Sequence, residues 1–226
     1  MFKEMDSYGC MLLVDGLIGY LEIRDWAFEK KSNARPGIDP LDFRMYYFLF
    51  FTNWHASIEL MRDNLVNDKV KEEFYNDIGR EFLDKEDFHY AIYQRNSMVH
   101  RGLDPTAMGV VNDGIVVAVS PVTLFKRDNK TSFVCSCSDL FQLAGFCLRA
   151  ANKILQSKLQ NAPEFDYRHQ ILSKSQTMKM LSDAPHVPEW VMNMADKAFE
   201  SMDFSQMTEN LAKGRIARLR CRLSIQ

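Results

Sequence analysis

One amphipathic helix can be outlined from Asp84 to Gly102, with both of its ends marked. Asp84 is a suitable N-cap residue, and Asp87 three residues later favours the positive N-terminal end of the helix dipole. Gly102 predicts the C-terminal end, because glycine readily closes a helix, and Pro105 follows shortly after it. Few other segments of the chain have both boundaries so clearly indicated.

This helix has an apolar stripe that is interrupted by a charge. At about 100° per residue, Phe88, Ile92 and Val99 share the stripe, and Arg95 falls in its middle. A polar face about a quarter-turn away contains His89, Tyr93, Asn96 and His100. An arginine in an apolar stripe loses solvation unless it is paired, which makes Arg95 a candidate functional residue.

A purely structural interpretation of these polar residues stays open. Arg95 could extend its aliphatic part along the stripe, Asn96 could help to cap the helix end, and His100 could complement the helix dipole. Arg95 and His100 diverge by about 140° around the helix, so they meet only if the guanidinium bends toward the helix end.

Turn and capping signals divide the rest of the chain into further helices. Pro40 fits the first position of a helix capped by Asp39, and the segment that follows is apolar nearly all round, as expected at the centre of a bundle. The predicted helices cover residues 5–31, 39–67, 69–83, 139–159, 163–182 and 188–201. The expected fold is therefore mainly α.

Between residues 108 and 137 the periodicity becomes strand-like. Asn112-Asp113-Gly114 is a strong turn signal between two apolar runs and predicts a β-hairpin, and a second hairpin is predicted around residues 127–130. This insertion directly follows the motif helix. It could therefore touch a substrate there, or it could simply cover one face of the core.

The last residues combine strict alternation with positive charge. Residues 218–225 alternate between polar and apolar side chains, which predicts a strand. Lys213, Arg215, Arg218, Arg220 and Arg222 place five positive charges within ten residues without an acidic neighbour. Either a protected edge strand or a patch for the RNA backbone would explain them.

Composition limits the classes of partner. The net charge of −2 gives no bulk attraction to nucleic acid, so any RNA contact must come from a local patch. No apolar run reaches the ~20 residues of a membrane-spanning helix. With 226 residues, one domain over residues 1–160 with an extension over residues 161–226 is expected.

The five cysteines favour reduced thiols and a cytoplasmic location. Their number is odd and no Cys-x-x-Cys occurs. Cys135-x-Cys137 has no partner pair at zinc spacing, so neither a metal nor another cofactor is expected.

The hexapeptide Arg95–His100, RNSMVH, is followed by Arg101-Gly102 and resembles the Arg-Asn-x-x-x-His signature of HEPN domains. These are all-helical modules, many of which are metal-independent ribonucleases. The segment YYFLFFTNWHASIELMRDNLVND, residues 46–68, is similar to the long HEPN helix with its small-x-x-Glu-Leu pattern at Ala56–Leu60. The resemblance covers about residues 40–160. It implies an HEPN-like helical bundle with an inserted β-hairpin region and a helical C-terminal extension that ends in a strand.

The resemblance also implies a chemistry, the cleavage of single-stranded RNA by attack of a ribose 2′-hydroxyl on the adjacent phosphorus. His100 would act as general acid or base, Arg95 would stabilise the phosphoryl charge, and Asn96 would orient His100 or the scissile phosphate. Glu59 is a weaker candidate for a residue that supports the catalytic groups, because only its place in the HEPN-like helix suggests it. The residues expected to bind RNA are Tyr93, His89, Arg101, Arg215, Arg218, Arg220 and Arg222.

Assembly and biological role follow from the same resemblance. In HEPN proteins two motif helices usually meet across a two-fold interface, so a homodimer is expected, with the stripe that holds Arg95 facing the partner. Such an enzyme would be a toxin or an antiviral defence effector. The alternatives are a non-catalytic HEPN-like binding or scaffold subunit of a defence or toxin–antitoxin complex, with an antitoxin or defence-complex protein as partner, and an unrelated helical protein. Gly102 stands where some HEPN toxins have a tyrosine, so regulation through that tyrosine is not expected.

Overall fold

The computed structural model describes residues 2–119, 121, 123–125, 131–160 and 162–224. Within them the α-helices are α1 (Ser7–Ser32), α2 (Pro40–Asp63), α3 (Asp68–Arg80), α4 (Lys85–Arg101), α5 (Leu140–Gln160), α6 (Lys174–Asp183), α7 (Glu189–Ser201) and α8 (Phe204–Leu223). The strands are β1 (Gly109–Asn112), β2 (Ile115–Ala118), β3 (Thr123–Phe125) and β4 (Ser132–Val134). The prediction of a mainly α fold with inserted hairpins is confirmed.

Helix α2 is the central helix, as its apolar sequence predicted. Asp39 accepts a hydrogen bond from the Leu41 amide at 2.7 Å and starts the helix at Pro40. Phe50 and Trp54 are fully buried, and α1, α3, α4 and α5 all pack against α2. The Trp54 indole donates to the main-chain oxygen of Cys147 at 2.9 Å, which ties α2 to α5.

Helix α4 has the predicted boundaries, but the face that it buries in the core coincides only in part with the predicted stripe. Phe88 is buried, whereas Ile92 is half-buried and Val99 is exposed. Asp84 accepts from the Glu86 amide at 2.9 Å, and Gly102 closes the helix in the left-handed conformation with a φ of 65°. Phe88 and Met98 are buried among α2, α3 and α5. Arg95 lies half-buried at the edge of this buried face.

Replacing Gly102 with alanine should lower the free energy of unfolding by about 1 kcal/mol. A Cβ there meets no atom within 4 Å, so the cost arises from the positive φ alone. Gly19 is the matched control, because it is exposed in α1 and its Cβ would also be unobstructed. Gly19→Ala should stabilise the protein by about 0.5–1 kcal/mol. Urea denaturation of both variants measures this difference, and equal shifts would contradict the assignment of Gly102 as the helix end.

The two predicted hairpins pack against different helices, the first against α5 and the second against α4. β1 and β2 pair in antiparallel register, and the turn between them has positive φ at Asp113 and Gly114, as expected for an Asp-Gly turn of type I′. β3 and β4 also pair in antiparallel register and pack on α4. The second turn, predicted at residues 127–130, lies outside the described residues.

Two predictions for the C-terminal third were wrong. Residues 218–223 are the end of helix α8 and do not form a strand; residue 224 follows the helix, and residue 225 is outside the described part. Helical spacing places four apolar residues on one buried face that packs on α1 and α5, namely Ala212, Ile216, Leu219 and Leu223. The burial of this face favours the helix over the strand that the alternating pattern predicted. The predicted helix at 163–182 is helical only from Lys174, where Ser173 forms a capping box; two short 3-10 turns precede it.

None of the described helices is both long and apolar enough to cross a membrane.

Candidate functional site

Arg95 carries a charge that no carboxylate of the described residues neutralises. Its Nη1 donates to the Asn96 side-chain oxygen at 2.9 Å, which fixes the guanidinium beside the helix. Its Nε is buried and has no hydrogen-bond partner within the described part of the chain. The sequence analysis expected Asn96 to orient His100 or the scissile phosphate, whereas in the structure its side-chain oxygen accepts from Arg95. The positive charge of Arg95 remains available to an anion.

His100 lies exposed in the last turn of α4. Among the residues that the structure describes, it takes part in no hydrogen bond or ion pair, and Arg95 donates to Asn96 instead of to His100. The structure therefore places both residues on one helix end but does not join them. A ligand, or a second copy of the chain, would have to connect them.

The charge of Arg95 instead influences the pKa of His55, a residue that the sequence analysis did not single out. His55 is buried in α2, and burial, the Arg95 charge and the Arg62 charge lower its pKa to about 4. The imidazole is neutral at physiological pH, and its Nδ1 has no partner among the described residues. A signal was present in the sequence, since His55, Glu59 and Arg62 follow at helical spacing on one face of α2.

Glu59 is the centre of a network between α2 and α3. Its carboxylate accepts a hydrogen bond from the Tyr75 hydroxyl, lies 2.5 Å from Arg62 Nη2 and lies 3.9 Å from His55 Nε2. Burial and the hydrogen bond to Glu59 raise the pKa of Tyr75. Because Arg62 neutralises Glu59, this carboxylate is not the counter-ion of Arg95.

Tyr93 and Arg101 connect α4 to the second hairpin. Arg101 Nη1 donates to the main-chain oxygen of Phe125 at 2.5 Å and to the Tyr93 hydroxyl at 3.2 Å. The Tyr93 ring lies 4.8 Å from the Phe133 ring. Arg101 and Ser97 line a cavity of about 380 Å³ between the end of α4 and β3. Strand β3 of the inserted region therefore forms one wall of this cavity, next to the Arg95–His100 motif.

His89 lies away from this end of the helix. It is exposed in the first half of α4, with its ring 5.7 Å from that of Phe88. Partial burial and the Lys85 charge lower its pKa. His89 and His100 are eleven positions apart in the helix, or about 16 Å, so the two histidines are not brought together.

Most of the C-terminal arginines are paired with α1. Arg218 holds both oxygens of Glu22 at 2.6 and 2.5 Å, and this interaction lowers the pKa of Glu22. Arg222 lies 3.5 Å from Glu22, and Arg215 lies 3.1 Å from Asp15. Arg220 is exposed and forms no ion pair with the described residues. These contacts fix α8 on α1 and leave little free charge for RNA.

No protein-family model, curated protein or solved structure matches this chain at a significant level. The similarity to HEPN domains therefore rests on the Arg95–His100 motif and on the helix pattern around it.

Proposed function

We propose that this protein is a metal-independent endoribonuclease that cleaves single-stranded RNA at the end of α4. The observation that supports this proposal most is the guanidinium of Arg95. It is oriented by Asn96, has no carboxylate partner among the described residues, and shares its helix end with the exposed His100. A planar cation held in this way suits the non-bridging oxygens of a phosphodiester.

The proposed reaction needs a proton acceptor and a proton donor. The 2′-hydroxyl loses its proton and attacks the adjacent phosphorus, and the 5′-oxygen of the next nucleotide leaves with a proton. The products are a 2′,3′-cyclic phosphate and a 5′-hydroxyl. His100 would serve in one of the two transfers, while Arg95 stabilises the charge on the phosphoryl oxygens.

A homodimer would supply the second proton-transfer group. One α4 helix offers a single exposed imidazole at this end, and His55 is neutral and buried. Two copies related by a two-fold axis would bring two His100 side chains to one cleft. Light scattering should therefore detect a dimer, and full activity from a monomer at micromolar concentration would contradict the composite site.

Arg101 and the cavity beside it are the proposed contact for the RNA chain. The guanidinium is held by a main-chain oxygen and a tyrosine hydroxyl, so it keeps its charge for a phosphate. We further propose a cytoplasmic role as a toxin or antiviral defence effector. A non-catalytic binding or scaffold subunit is the second candidate, because no hydrogen bond joins Arg95 to His100 among the described residues.

The test is cleavage of a single-stranded RNA by the purified protein in the presence of EDTA. We expect products that end in a 2′,3′-cyclic phosphate. A matched substrate with a 2′-deoxy nucleotide at the cut site should resist cleavage, because the nucleophile is missing. Cleavage of the deoxy substrate would contradict the mechanism, and RNA binding without cleavage would favour the scaffold function.

A further inference from the structure

A carboxylate and two thiols meet inside the protein at the start of α4. Asp87, Cys135 and Cys137 are all buried, and one ligand atom of each lies within 4.8 Å of the other two. Asp87 comes from the first turn of α4, and the cysteines follow strand β4. The Cys137 Sγ lies 3.7 Å from Asp87 Oδ2.

Asp87 is unusual because it is buried without a cationic partner. Its side chain is 1% exposed, and no lysine, arginine or histidine among the described residues forms an ion pair with it. It accepts hydrogen bonds from the amide and the hydroxyl of Ser136 at 2.7 and 2.5 Å. A buried carboxylate is costly when no positive charge accompanies it.

A third thiol borders this group. Cys147 is fully buried in α5, and its thiol interacts electrostatically with Cys137, Cys135 and Asp87.

We propose that Asp87, Cys135 and Cys137 bind one zinc ion, with Cys147 as the fourth ligand. Thiolates select zinc over magnesium and calcium, and structural zinc sites are closed, tetrahedral and buried. A Zn–S bond of about 2.3 Å places tetrahedral ligand atoms about 3.8 Å apart. The ligand atoms of Asp87, Cys135 and Cys137 need only a small contraction to reach that spacing, whereas the thiol of Cys147 lies outside their 4.8 Å group and would have to approach it.

Binding would displace one proton from each thiol that becomes a ligand, and the Asp87 carboxylate enters as an anion. The ion would join α4, the segment after β4 and α5, and so fix the insertion to the motif helix. Asp87 and His100 are thirteen residues apart on α4, or about 20 Å along its axis. The zinc site is therefore structural and separate from the proposed cleavage at His100.

Zinc content is the direct test. The full chain with Cys221→Ser, which removes the exposed thiol, should retain about one zinc per chain after gel filtration, as measured by elemental analysis. Cobalt in place of zinc should give the visible bands of a tetrahedral thiolate site. Zinc at a hundredfold excess over its dissociation constant should raise the melting temperature of the metal-free protein by about 5–10 °C.

Variants of the ligands identify the site. Cys135→Ser and Cys137→Ser, made in the Cys221→Ser background, should lose the zinc, and Asp87→Asn should weaken binding by more than about tenfold. Cys10→Ser, a buried cysteine of α1, should bind zinc as before. Circular dichroism establishes that each variant is folded. In the Cys221→Ser chain without further substitutions, the rate at which the buried thiols are alkylated should fall when zinc is added, which gives a second measurement of binding.

Folded, reduced protein that binds no zinc would overturn the proposal, as would zinc binding that survives the loss of Cys135 and Cys137. A disulfide between these two cysteines in protein isolated under thiol-blocking conditions would also overturn it. Zinc is measured without RNA, so this result does not depend on the cleavage test.

Discussion

His100→Ala should reduce the cleavage of single-stranded RNA by about 10²–10⁴-fold, the usual effect of removing an acid–base group. The residue is exposed, so its loss should leave the melting temperature near that of the wild type. The rate is measured under single-turnover conditions with a labelled RNA. His169→Ala, which removes another exposed histidine far from the motif in sequence, should cleave at the wild-type rate.

Arg95→Ala should lose activity to a similar degree, because its guanidinium would stabilise the charge on the phosphoryl oxygens. Arg218→Ala is the matched control, since Glu22 already neutralises that arginine. If Arg218→Ala loses as much activity as Arg95→Ala, the C-terminal helix binds RNA as its sequence predicted. If His100→Ala cuts as fast as the wild type, the role of this histidine is wrong and the motif is structural. Equal cleavage by every variant would indicate a contaminating nuclease.

The second large effect is expected at Lys31, which is fully buried at the end of α1. Its Nζ lies 3.8 Å from the ring centroid of Phe28 and 4.2 Å from that of Phe141, and within the described residues it has no hydrogen-bond partner. Burial lowers the pKa of Lys31 to about 7, against the opposing influence of Cys147 and Asp139. Tyr47 and Phe50 of α2 complete the aromatic surroundings.

The lowered pKa makes stability depend on pH in a defined direction. Between pH 7 and the ordinary lysine pKa of 10.5, the folded chain binds fewer protons than the unfolded chain. The free energy of unfolding therefore rises with pH across this window. Below pH 7 both states carry the proton, so the full penalty of the buried ammonium is present.

Lys31→Met removes that penalty while keeping a similar volume. It should raise the free energy of unfolding by about 1–4 kcal/mol at pH 6, and the gain should shrink as the pH approaches 10. Urea denaturation at several pH values measures this difference. Lys30→Met, at the exposed neighbouring position, should change stability by less than about 0.5 kcal/mol throughout. Destabilisation by Lys31→Met at pH 6 would show that the aromatic rings hold the ammonium more favourably than water does.

Local signals were sufficient for the helices of the bundle. Helix α4 begins and ends where Asp84 and Gly102 predict, because capping and the left-handed conformation depend on the residues themselves. The first hairpin follows for the same reason from Asp113-Gly114.

The tertiary structure decided the features that depend on distant partners. The alternating sequence at the C-terminal end predicted a strand, but these residues form helix α8. The helix packs Leu219 and Leu223 on the core and so buries more apolar surface than an isolated strand could. His55 comes under the charge of Arg95 only because α2 and α4 pack together. Asp87 precedes Cys137 by 50 residues, so no local spacing could reveal the buried group that they form. Sequence periodicity determines which face of an element is apolar, whereas the partner that covers that face, and the polar groups enclosed with it, are set by long-range packing.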